Sequence, residues 1–212
     1  MGPTDFLNIA ELGITSGTAW SSKYASFNAG FITKSAYLAH HVTMRDTILS
    51  QIATNDARSQ AVLALKESNL SITKHTKFLK SYLAEEYDNN AKTYYAGYGI
   101  ITNGKLHTIP TDNDHRMRSL DTLVAELDKP NCPLQDKKFG LAFWTALRDT
   151  HRANWTAMKT YDGDRSINSD NLKTAKKQAM SYQSRLKASI KINYPDNYKA
   201  VYRDFGFQTE KY

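Results

Sequence analysis

A metal site needs His, Cys, Asp or Glu at spacings that converge on one point. The chain has six histidines and one cysteine. His40 and His41 are adjacent, so on a helix their side chains point about 100° apart and do not readily share an ion. Neither His-Glu-x-x-His nor Glu-x-x-His occurs, and the second absence argues against a di-iron centre inside a helical bundle. Cys132 has no second cysteine, which excludes an intrachain disulfide and a cysteine-built zinc site. Asp162-Gly163-Asp164 has the opening letters of a calcium loop, but the later ligands and closing glutamate are missing, so an ordinary turn is the expectation. We expect no metal ligand and no cofactor.

Nucleophilic chemistry is equally poorly supplied. Gly-x-Ser-x-Gly is absent, and Cys132 lies between Pro130 and Pro133 with no histidine nearby in sequence. Neither glycine-rich phosphate signature occurs. Glu85 and Glu86 are neighbours and face different ways on a helix. His151, close to Trp144 and Trp155, reads as a polar core contact before a pocket wall. No catalytic residue is assigned. The best remaining candidates are Lys173, Lys176, Lys177, Lys187 and Lys191, which fall off the apolar stripe of their segment and could touch phosphates. No helix-turn-helix, zinc finger or aromatic RNA-binding signature accompanies them, so a solvated face is the first expectation. Thirteen tyrosines, clustered at 94–98 and 194–202, suit interfaces and core edges alike.

The elements that would position such residues are helical. Apolar residues make up 41% of 212, which supports a packed core, and ten glycines with five prolines leave too few turns for a many-stranded sheet. The net charge is +7, with the excess mostly after residue 105. Acidic and basic residues are interspersed, so solubility explains the charge as well as an acidic partner does. Met1–Ala10 lacks a basic region followed by an apolar core, and no 18-residue apolar run occurs. With a single thiol these features predict a cytoplasmic chain without a membrane partner.

The chain also repeats itself. At an offset of 107, Leu79, Lys80, Tyr87, Asn90, Lys92, Tyr95 and Gly99 meet Leu186, Lys187, Tyr194, Asn197, Lys199, Tyr202 and Gly206. Leu38-Ala39 and Arg45-Asp46-Thr47 meet Leu141-Ala142 and Arg148-Asp149-Thr150 at 103, and Pro3-Thr4-Asp5 meets Pro110-Thr111-Asp112 at 107. The four extra residues fall in the interval holding Tyr161 to Ser166, which reads as a loop.

Val62, Leu65, Asn69, Ile72, Thr76, Leu79 and Leu83 form one stripe of a helix over about 56–87, capped by Asp56. Leu172, Ala175, Ala179, Tyr182, Leu186 and Ile190 do the same over about 170–192, capped by Ser169 or Asp170 and ended by Pro195. Preceding helices are expected over about 34–53, with Leu38, Val42, Leu49 and Ile52 on one side, and over about 138–160. Tyr98-Gly99-Ile100 and Phe205-Gly206-Phe207 read as helix ends closed by a left-handed glycine. Asn103-Gly104 marks a hairpin, a further helix runs from Thr111 or Asp112 to about Asp128, and residues 1–30 show no clean period, suggesting a short helix and a strap.

The expected fold is all-α: an antiparallel helical bundle from two similar helical hairpins, with short accessory helices and a small β-hairpin near residue 103. It is read as a single domain, 1–212, repeating as 1–105 and 106–212. The expected role is structural or protein-binding, with protein or a second copy of the chain as partner. The alternatives are nucleic acid on the Lys-rich face, and an enzyme with an unrecognised site between the halves.

Overall fold

The computed structural model describes residues 3–207. Helix formation follows the breakers. All five prolines lie at helix starts or in loops, and Lys34 to Tyr87 contains neither proline nor glycine. That stretch is one helix, α2 (Lys34–Tyr87), preceded by α1 (Pro3–Ser22). A 3-10 turn (Asp88–Asn90) and α3 (Ala91–Tyr94) lead to a two-stranded antiparallel hairpin, β1 (Ile101–Asn103) and β2 (Leu106–Thr108). Then come α4 (Asn113–Leu127), α5 (Leu141–Asn193) and α6 (Tyr198–Asp204).

The all-α class and the small hairpin are as expected, while several boundaries differ. Asp56 does not cap a helix, and the break expected before it is α-helical. Ser169, Asp170 and the stretch 161–166 likewise lie inside α5. Residues 3–22 form a 20-residue helix, longer than the short helix expected, followed by a non-helical stretch over 23–33. The hairpin turn is Gly104-Lys105, since Asn103 pairs with Leu106. Gly104 has φ 60° and Lys105 is not left-handed, matching a turn with glycine at its first central position.

Two compact units emerge, and neither coincides with a half of the sequence. Unit 1 joins residues 1–56 to 163–212, and unit 2 is 57–162. Within unit 1, α1 and the first part of α2 pack with the second part of α5 and with α6. The core is Trp20, Phe27, Tyr37, Leu186, Ile190, Val201 and Phe205, with a second cluster of Ala10, Met44, Ile48, Leu172 and Ala179. The buried side of α2 here is Tyr37, His41, Met44 and Ile48; Leu49 and Ile52, expected inside, are exposed. The glycines of α1 explain its missing period. A Cβ at Gly13 would overlap the His41 ring, and one at Gly17 would press on Tyr37 and Leu38, so small residues let the two helices approach closely.

Unit 2 is built from α4, the first part of α5, the second part of α2 and α3. Its core gathers Ile72, Leu79 and Leu83 of α2, Leu120, Leu123, Val124 and Leu127 of α4, Trp144 of α5, and Tyr95, Tyr98 and Ile100. Val62, expected in the stripe, is exposed, and Ser68 is buried instead. The Asp112 carboxylate caps α4 by accepting from the His115 backbone N–H at 3.0 Å.

Both glycine-closed ends have the same geometry. Ile100 N–H donates to the Tyr95 carbonyl (2.9 Å) and Gly99 N–H to that of Ala96 (3.1 Å). Phe207 donates to Tyr202 (2.8 Å) and Gly206 to Arg203 (2.9 Å). Gly99 and Gly206 have φ of 67° and 74°, which completes a Schellman motif at each end.

Candidate functional site

The buried polar groups come in two sets, one per unit. In unit 1, His41 is fully buried. Its Nδ1–H donates to the Tyr37 carbonyl (2.9 Å), so Nε2 is bare and accepts from the Gln183 amide (3.3 Å). Gln183 also donates to the Ile9 carbonyl (2.8 Å), and Ser16 and Tyr37 share a hydroxyl hydrogen bond of 2.8 Å. Burial pushes the His41 pKa down, more than its bond to Tyr37 pulls it up. Every polar atom of the ring is matched in the neutral state, which makes His41 a tie between α1, α2 and α5. His40 next to it hydrogen-bonds the Ala175 carbonyl at 3.2 Å.

In unit 2, His151 is also fully buried. Ser68 Oγ donates its one proton to the Leu65 carbonyl (2.9 Å), so His151 Nδ1 donates to Ser68 Oγ (3.0 Å) and Nε2 is a bare acceptor. No described polar group reaches that Nε2. Desolvation, with the Arg116 charge adding to it, lowers the His151 pKa to about 4. Arg116 is itself buried, donates from Nε to the Pro110 carbonyl (2.6 Å) and from Nη1 to Asn69 Oδ1, and has no ion-pair partner among the described residues. Burial lowers its pKa, opposed by the Asp112 charge. A hydroxyl beside an imidazole is half of a nucleophile pair, but Ser68 and His151 are both sealed from solvent, and no carboxylate orients the ring. His151 is thus a polar core residue with one unfilled acceptor.

Arg116 was missed at the sequence level. Its signal is phase: 116, 120, 123 and 127 fall on one stripe, and Arg116 occupies a core position of α4.

The five lysines of α5 fall on one flank of the helix, beside the buried stripe. Most are engaged with unit 1. Lys173 pairs with Asp170 at 3.0 Å; Lys176, Lys187 and Lys191 stand over the rings of Phe6 (4.7 Å), Phe207 (4.8 Å) and Tyr198 (5.6 Å). Lys177 is exposed. The row therefore rims aromatic packing, with three of its five ammonium groups standing over ring faces.

Cys132 is half-buried, with Sγ 3.4 Å from the Tyr98 hydroxyl; burial and that contact push the Tyr98 pKa up. Tyr87 and Tyr94 stack at 3.7 Å. Among the described residues no three His, Cys, Asp or Glu side chains cluster to hold a metal ion, and no helix is long and apolar enough to cross a membrane.

A cavity of about 480 Å³ opens in unit 2 between the end of α3, β1 and α4. Lys92, Tyr95, Gly99, Thr102, Arg118, Ser119 and Thr122 are among its lining residues. A second, of about 380 Å³, lies across Arg118 and Ser119 and reaches Asp112 and His115. Neither is legible from the chain order, because Lys92 and Arg118 belong to different elements and carry no motif.

By architecture the chain is a predominantly helical protein built of two mixed units. No family model matches it, and neither a curated protein nor a solved structure resembles it significantly.

Proposed function

We propose that this protein is a non-enzymatic helical scaffold that works by binding protein, in the first instance a second copy of itself. The observation that carries this reading is on α2 within unit 2. Leu65, Ile72 and Leu79 face the core, and Leu63 and Leu70 lie on the opposite side, 54% and 62% exposed. Seven residues apart, these two leucines form one stripe. Lys66, Glu67 and Lys74 surround them, giving an apolar centre with a charged rim, as protein interfaces have. The buried histidines support the non-enzymatic part, because each is enclosed and serves packing.

Sedimentation velocity over a range of concentrations tests it. The wild-type chain should show a species heavier than the 24.0 kDa monomer. Leu63→Lys with Leu70→Lys should return it to monomer with unchanged helicity. A wild-type chain that stays monomeric at every concentration defeats the self-association.

A further inference from the structure

The larger cavity of unit 2 differs from the rest of the surface in its charge balance. Its lining includes two cations, Lys92 and Arg118, and no carboxylate. Neither cation has an ion-pair partner among the described residues, although α4 is rich in acids. Those acids are committed elsewhere. Asp121 is bound by Arg152 and lies 3.8 Å from Arg148, Glu126 is held by Lys129 (2.5 Å) and Asp114 by Lys159 (2.9 Å), while the Asp112 cap hydrogen-bonds the His115 ring (2.8 Å). Two positive charges are left facing one concave space.

The neutral lining adds donors and a floor. The Ser119 hydroxyl has no hydrogen-bond partner among the described residues, although Ser119 is nearly buried, so it is available to a ligand. Thr102 sits at the rim, its hydroxyl 3.0 Å from His107 Nδ1. Tyr95, Ala96, Ile100 and Ile101 supply apolar surface. The geometry is fixed in advance. Gly99 is left-handed in the Schellman turn, and a Cβ there would overlap the Ser119 carbonyl, so the end of α3 lies directly against α4. A preformed space of this size, apolar with a few convergent polar groups, fits a small organic ligand.

We propose that this cavity binds a small organic phosphate monoester, with Lys92, Arg118 and the Ser119 hydroxyl on the phosphate and the apolar floor under the organic group. A dianion answers two uncompensated cations better than a monocarboxylate does, and the phosphate's terminal oxygens match an arginine fork, an ammonium and a hydroxyl. This goes beyond the scaffold reading and does not depend on it.

Backbone amide chemical shifts at physiological salt provide the test, with phenyl phosphate as probe and inorganic phosphate and benzoate as comparators. Phenyl phosphate should give saturable shifts confined to residues 99–102 and 118–122, at lower concentration than either comparator. Arg118→Gln and Lys92→Gln should each weaken it about tenfold, the effect of losing one charge-assisted contact. Lys177→Gln, on unit 1, should leave it unchanged. Benzoate binding as tightly overturns the phosphate assignment, and inorganic phosphate binding as tightly overturns the role of the floor. Shifts that do not saturate, or that survive both substitutions, overturn the site itself.

Discussion

Two buried histidines with opposite hydrogen-bond balances make a comparison within one chain. His41 has a partner at each ring nitrogen, and His151 has one at Nδ1 alone. Under the 103-residue offset His151 corresponds to Ile48, which is buried in unit 1 with no polar atom to satisfy. His151→Ile should therefore be neutral or slightly stabilising at pH 7, because it removes an orphaned acceptor while Ser68 keeps its bond to Leu65. The acid response separates the two proteins. The folded-state pKa of His151 is lowered to about 4, whereas in the unfolded chain it takes the ordinary value near 6.5. Between those pH values the unfolded state binds the extra proton, so stability is full above about 6.5 and falls as pH drops toward 4. For His151 the full loss is on the order of 3 kcal/mol. His41, also lowered, adds a loss of the same sign. Urea denaturation at several pH values should show the Ile variant losing less stability on acidification than wild type; parallel pH profiles would refute the assignment.

At the scale of elements, sequence and structure disagree where context outweighs local composition. Tyr161 to Ser166 reads as a turn because Asp, Gly and Ser favour turns, yet the stretch is helical in the middle of α5. No proline interrupts it, and its one glycine costs only about 1 kcal/mol. Local composition is a weak constraint there, and the cooperativity of the flanking helix outweighs it. The test is Gly163→Ala. A Cβ at Gly163 meets nothing within 4 Å, so alanine should raise thermal stability, by about 0.5–1 kcal/mol. A fall would mean a left-handed turn at this position. Residues 3–22 fail in the other direction: Gly13, Ser16 and Gly17 weaken the periodic signal because a neighbouring helix needs the space they leave. What was legible was what depends on local rules, namely the stripe Leu65–Ile72–Leu79, the Asp112 cap, the hairpin and the two glycine-closed ends. The cavity beside Arg118 was not, because it exists only where α3, β1 and α4 meet, and no spacing along the chain encodes a meeting of separate elements.

For the molecule as a whole, each unit draws on both halves of the sequence. In unit 1, Trp20, Phe27 and Tyr37 from the first half pack with Leu186, Ile190, Val201 and Phe205 from the second. Under the 107-residue offset Leu186, Ile190 and Phe205 correspond to Leu79, Leu83 and Tyr98, which are buried in the core of unit 2. A duplicated module whose copies had exchanged the second parts of their long helices would show this pattern. The two hairpins read from the sequence would need each long helix to fold back on itself; α2 has no glycine or proline to permit the bend, and α5 stays helical through Gly163. The way each unit is assembled along the chain has a consequence for folding. Residues 57–162 hold all of unit 2 in one uninterrupted stretch, so this fragment should be helical and unfold cooperatively by itself. Residues 1–105 and 106–212 each carry parts of both cores and the whole of neither. Expressed separately, each should show weak, non-cooperative thermal unfolding by circular dichroism, and mixing the two should restore a single sharp transition. A sharp transition in either half as a monomer would show that residues from both halves are not needed to complete a core.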